Sequence, residues 1–444
     1  MNWIVKLFRG LVGPAAVIAA GSMGAGAVAS LILAGAWFRY DLLWVVLFML
    51  PLFVIAVDSA SRIGTINRGV GMLSIVSRHI HPSVAWLFVL INVPIHILVG
   101  MGQFSVMTSA FLSLFGMHPP VPGGPADYAA TYGNLEIIGS LALAAFVLWL
   151  VLSQGYDRMQ KAMTGLMVVM FICFLLIALR SFGDIAEIMR GFIPSIPDDL
   201  PAPGRDAVRM STSSIIAIVG SAIAPGALLT IPYLSSDASS GAVKLKEDLR
   251  KSILNLGIIF GAYAMFIIIA GGFALYPLAN HADIETVHEA GQVLTAAFPQ
   301  TIAFVGPTIF TLGLFIAAMT TLVICVQVVI YLSLDILKKP WTFSSDNKPY
   351  RRLVIGVTLL TGLLAPIWDF PALLKVVLLM GVNVLVIPLV IGAMIFLVNR
   401  RAVMGEFTAS PVRNALLVLV LVISVALAID KFPDYLTMLA GMTG

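Results

Sequence analysis

The sequence predicts an all-α polytopic membrane protein of about 11 transmembrane helices. They form two inverted five-span repeats followed by one extra helix, with helices 1 and 6 discontinuous. Three observations carry this. Apolar residues make up 60% of the 444 residues and charged ones 11%, with a mean hydropathy of +1.02, far outside soluble globular statistics. Continuous apolar runs recur along the chain at the length of about 20 residues that a hydrocarbon core demands, and their lack of alternation excludes a β-barrel. Two of these runs are interrupted by small residues near mid-membrane depth, at Gly21-Ser22-Met23-Gly24-Ala25-Gly26 and at Gly220-Ser221-Ala222-Ile223-Ala224-Pro225-Gly226.

In order, the runs lie near 11–36, 42–60, 83–115, 135–153, 160–180, 210–235, 252–276, 300–335, 353–368, 372–398 and 412–429; we number them spans 1 to 11. The loops between them are short, so the chain reads as one transporter domain with no soluble module. Segment 64–81 carries Ile66, Val70, Met72, Leu73, Ile75 and Val76 beside Arg68 and Arg78, the pattern of a short amphipathic helix on the cytoplasmic membrane surface that connects two spans rather than crossing.

The formal charge of +4 is no nucleic-acid signal, because the basic residues sit in alternate short loops. Nineteen of the 26 Lys and Arg residues fall on one side, from Lys6 and Arg9 through Arg62 and Lys251 to Arg400 and Arg413. The positive-inside rule then places the N-terminus in the cytoplasm and, with an odd span count, the C-terminus outside a cell membrane. The basic start followed by a long apolar run reads as an uncleaved first span. Cys173 and Cys325 both lie within apolar runs, giving neither a disulfide framework nor a zinc site.

The two breaks are offset by 199 residues, from Gly21 to Gly220. That spacing fits a repeat at about 11–180, a second at about 207–398 and an extra helix at about 412–429. With five spans each, the second repeat enters the membrane from the opposite side. Paired broken helices at corresponding positions are the best sequence pointer to a secondary transporter's substrate site, because freed backbone groups survive only where buried protein or a cavity satisfies them.

Several segments resemble the NRAMP divalent-metal transporters. They include Gly13-Pro14 opening span 1, Phe38-Arg39-Tyr40-Asp41-Leu42-Leu43-Trp44 after it, Ser59-Ala60-Ser61-Arg62-Ile63-Gly64 closing span 2, Phe192-Ile193-Pro194-Ser195-Ile196-Pro197 before span 6, and Ile387-Pro388-Leu389 in span 10. The resemblance implies a LeuT-type fold, eleven spans and ion-coupled transport by alternating access. The metal-site motifs depart from it. Where those transporters have Asp-Pro-Gly-Asn, this chain reads Gly24-Ala25-Gly26-Ala27, and where they have Met-Pro-His it reads Ala224-Pro225-Gly226.

Transition metals need soft or nitrogen ligands and magnesium needs carboxylates. A dication held by neutral carbonyls would keep most of a desolvation penalty of several kcal/mol. The candidate substrate site is therefore Gly21, Ser22, Met23, Gly24, Ala25, Gly26 and Ala27 with Ala224, Pro225, Gly226, Ala227 and Asn383, holding a small carboxylate or amino-acid-like solute and no metal. Gly-rich breaks let a ligand approach backbone amides at the start of a half-helix. Gly35, by contrast, reads as a packing glycine whose replacement by alanine is mild.

Polar residues inside spans are candidate pathway groups. Asn92, His96 and Gln103 share one face of span 3, and His96 titrates in the range of a proton relay. Thr320 and Thr321 in span 8 match a sodium-site role by analogy with LeuT-fold sodium symporters. Gln327 and Asp58 complete the set. Met23, Met101, Met107, Met319 and Met380 read as core packing, as expected among 20 methionines.

The competing readings are a divalent metal transporter using manganese, iron or magnesium as in the family, and a non-transporting receptor, for which no signalling domain is read. An enzyme is not expected, for want of a nucleophile, metal or phosphate-loop constellation. No cofactor is expected. The expected partners are a small-molecule or ion substrate, a coupling proton or sodium ion, and the lipid bilayer.

Overall fold

The computed structural model describes residues 24–120, 125–152, 156–203, 208–238, 245–279, 284, 286–342, 347–368 and 370–442. Among these, eight helices are long and apolar enough to cross a membrane, and a ninth counts if one bent pair is taken as a single span. The helices of spans 1 and 9 fall short of that length. Span 1 is described only as Ala25–Phe38, and Gly21, Ser22 and Met23 lie outside the described residues. Span 9 is Lys348–Leu364, 17 residues. The sole strands described are a two-residue pair, Leu200–Pro201 against Val208–Arg209, in the loop before span 6.

Burial sorts the helices into layers. Span 1 is inaccessible along nearly its whole described length, as expected of a helix apolar on every side. Span 6 is equally central. Spans 3 (Pro82–Leu114) and 8 (Val305–Ile336) form the most extensive contact among the described elements. Spans 4 (Ala126–Leu152), 5 (Tyr156–Arg180) and 11 (Pro411–Met442) are peripheral, with Ile138, Trp149, Leu179, Val422 and Ile429 exposed. Apolar residues are tolerated there because the surrounding solvent is lipid.

Span 6 is broken as its sequence predicts. Ser211–Ala222 ends, Ile223 and Ala224 leave the helix, and Pro225–Ala238 begins. Proline suits the first helical position because the N–H it lacks would have no partner there. The two halves together still count as one membrane-long span, Ser211–Ser236. The larger bend is in span 10, where Ala372–Val382 runs into a tight turn at Asn383–Leu385 and then into Ile387–Asn399 at 43°. Pro388 supplies the cause, since it cannot close the hydrogen bond to the preceding turn.

Two expectations need correction. The amphipathic segment forms Met72–His79, but Met72, Leu73, Ile75 and Val76 are fully covered by protein instead of resting at a membrane surface. The cause is Asp335 at the end of span 8. Its carboxylate accepts from the backbone N–H of Leu73 (2.8 Å) and Ser74 (3.1 Å), from the Ser74 hydroxyl (2.5 Å) and from the Tyr233 hydroxyl at the end of span 6 (2.6 Å). That carboxylate caps the short helix and draws it inward.

The second correction concerns Gly35. A Cβ there would fall inside contact distance of the Ile268 carbonyl and within 2.8 Å of the Gly272 nitrogen in span 7, with the Cα of Gly271 at 3.1 Å. Spans 1 and 7 meet backbone to backbone, so no flexible side chain can yield. Gly35→Ala is thus expected to cost at least about 1–3 kcal/mol by overpacking, read as a lowered melting temperature. Gly392→Ala in span 10, where a Cβ meets nothing within 4 Å, should leave the melt unchanged.

Candidate functional site

The described start of span 1 and the breaks of spans 6 and 10 meet at one cavity at the centre of the bundle. Its described walls are Gly24, Gly26 and Ala27 of span 1, Ser221, Ala224 and Ala227 of span 6, and Met380 and Asn383 of span 10. The scaffold spans add His96 and Val99 from span 3 and Thr321, Ile324 and Cys325 from span 8. The free space is about 40 Å³. One water-sized sphere needs about 10–15 Å³ of such space, so the cavity suits a partly hydrated ion or a solute of a few heavy atoms.

Two helices start at this cavity. Gly24 caps Ala25–Phe38 without any side-chain hydrogen bond, leaving the first-turn N–H groups of Ala25, Gly26 and Ala27 without partners inside the helix. In span 6 the second half opens on Pro225, so Gly226 and Ala227 carry its first free donors. Each such end bears roughly half a positive charge. The last carbonyls of Ser211–Ala222 bring a partial negative charge to the same place.

Side chains add polarity but no fixed charge. The Ser221 hydroxyl donates to Ile218 O (2.9 Å), and Thr321 and Thr320 both donate to Ala317 O, at 3.0 and 2.8 Å. Asn383 directs its amide nitrogen at Gly220 O (3.5 Å) and Met380 Sδ (3.9 Å), and its buried carbonyl oxygen has no partner. His96 lies 2.8 Å through Nδ1 from Asn92 O, with Nε2 against Gly226. No carboxylate, lysine or arginine lines the described walls. Among the described residues no three His, Cys, Asp or Glu side chains gather as a metal site.

Of the residues singled out in the sequence, Gly24, Gly26, Ala27, Ala224, Ala227, Asn383, His96 and Thr321 line the cavity. Ala25, Pro225 and Gly226 stand in the same two helix starts. The remaining pathway candidates lie elsewhere. Asn92 and Gln103 are buried on span 3 away from the cavity wall, with Asn92 Oδ1 and both Gln103 side-chain amide atoms unpartnered. Thr320 turns back on its own helix, and Gln327 is off the wall.

Asp58 belongs to a separate ionic cluster at the basic end of the bundle. One carboxylate oxygen receives Arg62 Nε at 2.8 Å and Arg413 Nη2 at 2.6 Å, while Arg413 also donates to the Ser59 hydroxyl at 2.8 Å. Sequence reasoning named Ser221 only as part of the span 6 break and passed over Val99, Ile324, Cys325 and Met380 as site residues. For Met380 a signal existed, because Pro388 inside an apolar run marks a bend beside Asn383; the other three carry none.

The motif after span 1 also has a structural reason. Arg39 pairs with Asp184 (3.2 Å) and Glu187, and Tyr40 donates to Asp184 (2.8 Å). These contacts fasten the turn between spans 1 and 2 to the segment after span 5.

The family model of natural resistance-associated macrophage protein-like (Nramp) proteins matches residues 15–432. The chain belongs to the Nramp family. Its fold is similar to that of the Eremococcus coleocola manganese transporter bound to an aromatic bis-isothiourea substituted compound, with a TM-score of 0.68 at 16% identity over 94% of this chain and 85% of that one. Two mutants of the same transporter give TM-scores of 0.67 and 0.65 at 17% identity, covering 95% of this chain and 87% of theirs. This Nramp protein is accordingly a multi-pass membrane protein with the LeuT-type fold of a secondary transporter.

Proposed function

We propose that this Nramp-family protein carries a small organic solute, a carboxylate or amino-acid-like molecule, by alternating access across the cytoplasmic membrane, coupled to protons or sodium. The N-terminus lies in the cytoplasm, in keeping with the basic loops. One observation carries the substrate reading: two helix starts, at Ala25 and Pro225, stand at a cavity whose described walls hold no anionic side chain. Such an arrangement favours negative charge, whereas a dication there would keep several kcal/mol of its desolvation cost.

A second reading, divalent metal transport, is favoured by the shared fold with manganese transporters. Thermal shift on the purified protein separates the two, since a ligand bound to the folded state raises its melting temperature. Small carboxylates and amino acids should raise it by several degrees at millimolar concentration, and manganese or magnesium should not. Micromolar affinity for manganese would overturn the organic-solute reading and establish the other.

A further inference from the structure

Building on the carboxylate reading, we infer that His96 couples each carboxylate to one proton, which Nε2 takes up as the solute binds and surrenders as it leaves. The argument starts from the tautomer. A backbone carbonyl only accepts hydrogen bonds, so the 2.8 Å contact from His96 Nδ1 to Asn92 O fixes the ring proton on Nδ1. In the neutral ring, Nε2 therefore presents a bare lone pair beside the start of the second half of span 6, where a Gly226 Cβ would collide with it.

A lone pair repels a carboxylate oxygen. The imidazolium alone is equally unfavourable, set near two positive helix ends with no carboxylate on the described walls. Together, proton and anion cancel: Nε2–H donates to the carboxylate oxygen in a charge-assisted hydrogen bond. On loading, a proton passes from water to Nε2. On release, the solute departs as the anion and the proton returns to water, so the cycle moves no net charge.

The groups facing His96 leave this assignment to the imidazole. Span 8 offers the Cys325 thiol and the Thr321 hydroxyl, span 10 the Asn383 amide, span 6 the Ser221 hydroxyl, already donated to Ile218 O, and backbone, and the described part of span 1 backbone. The next charged groups stand further along the same helices. Lys375 bonds Ser105 at 3.0 Å towards one end, and Asp335 holds Tyr233 towards the other.

Calorimetric binding of acetate, lactate and alanine to the purified full-length protein tests this, with each titration run at pH 6, 7 and 8 in two buffers of different ionisation enthalpy. One proton should be taken up per bound solute, and affinity should fall about tenfold per pH unit once the free imidazole is neutral. His96→Gln should remove both the proton uptake and the pH slope. Solute binding without proton uptake, or an unchanged slope in His96→Gln, overturns the coupling and leaves the solute reading standing. Binding of none of the three probes overturns the solute reading and the coupling with it. Should His96→Gln fail to fold, the proton count and slope of the unaltered protein decide alone.

Discussion

Replacing Gly226 with valine is expected to abolish solute binding. The first carbon of any side chain there would overlap the His96 ring at Cε1 and Nε2. The ring has little freedom to retreat, because its other nitrogen is tied to Asn92 O and the whole side chain is buried. Overpacking of this kind costs about 1–3 kcal/mol, and valine adds two further methyl groups against the His96 ring, itself part of the cavity wall. A displaced ring no longer offers Nε2 to the solute; a hydrogen bond to a charged group is worth about 1.5–3 kcal/mol and each 1.4 kcal/mol is a factor of ten in affinity, so a loss of at least about ten- to a hundred-fold is expected in calorimetric titration with the same carboxylate probes. Gly392→Val, in open space on span 10, serves as the control. Equal affinities in the two variants would remove the site from this place in the bundle.

The largest effect on stability is expected from Arg413→Ala. Asp58 is completely inaccessible, and its Oδ1 already lacks a partner. Oδ2 is held by Arg62 on its own helix and by Arg413 across the interface with span 11. Removing Arg413 leaves a buried carboxylate with half its compensation and frees the Ser59 hydroxyl as well. Breaking a buried pair by deleting one partner typically costs about 3–5 kcal/mol. The variant should melt well below the unaltered protein and lose the packing of span 11 on span 2. Asp58→Asn combined with Arg413→Gln should recover much of the loss, because it removes the charge on both sides. If Arg413→Ala melts normally, the cluster contributes nothing to the fold.

Much of this architecture was legible because lipid makes strict demands. A run of twenty apolar residues has few ways to satisfy its backbone other than a spanning helix, and the Pro225-Gly226 pair has few uses at mid-span other than starting a half-helix. Partner choice was less legible. Periodicity put Asn92, His96 and Gln103 on one side of span 3, yet only His96 reaches the cavity, since that depends on which neighbour crosses at each level. Gly35 looked tolerant for the same reason: its sequence does not say that another glycine seam lies opposite. The segment at 72–79 showed its amphipathic pattern plainly, but a covering of lipid and a covering of protein select the same residues. Asp335, more than 250 residues away in the chain, chose between them.

The glycine seam between spans 1 and 7 has a mechanical consequence. Main chains in direct contact have no layer of side chains on which to slide, so these two spans travel as a single lever. Any opening that admits a solute must then be absorbed where the chain already departs from helix, at Ile223-Ala224 and at the 43° elbow after Asn383. Both joints border the cavity itself, so the parts that flex and the parts that grip are the same few residues.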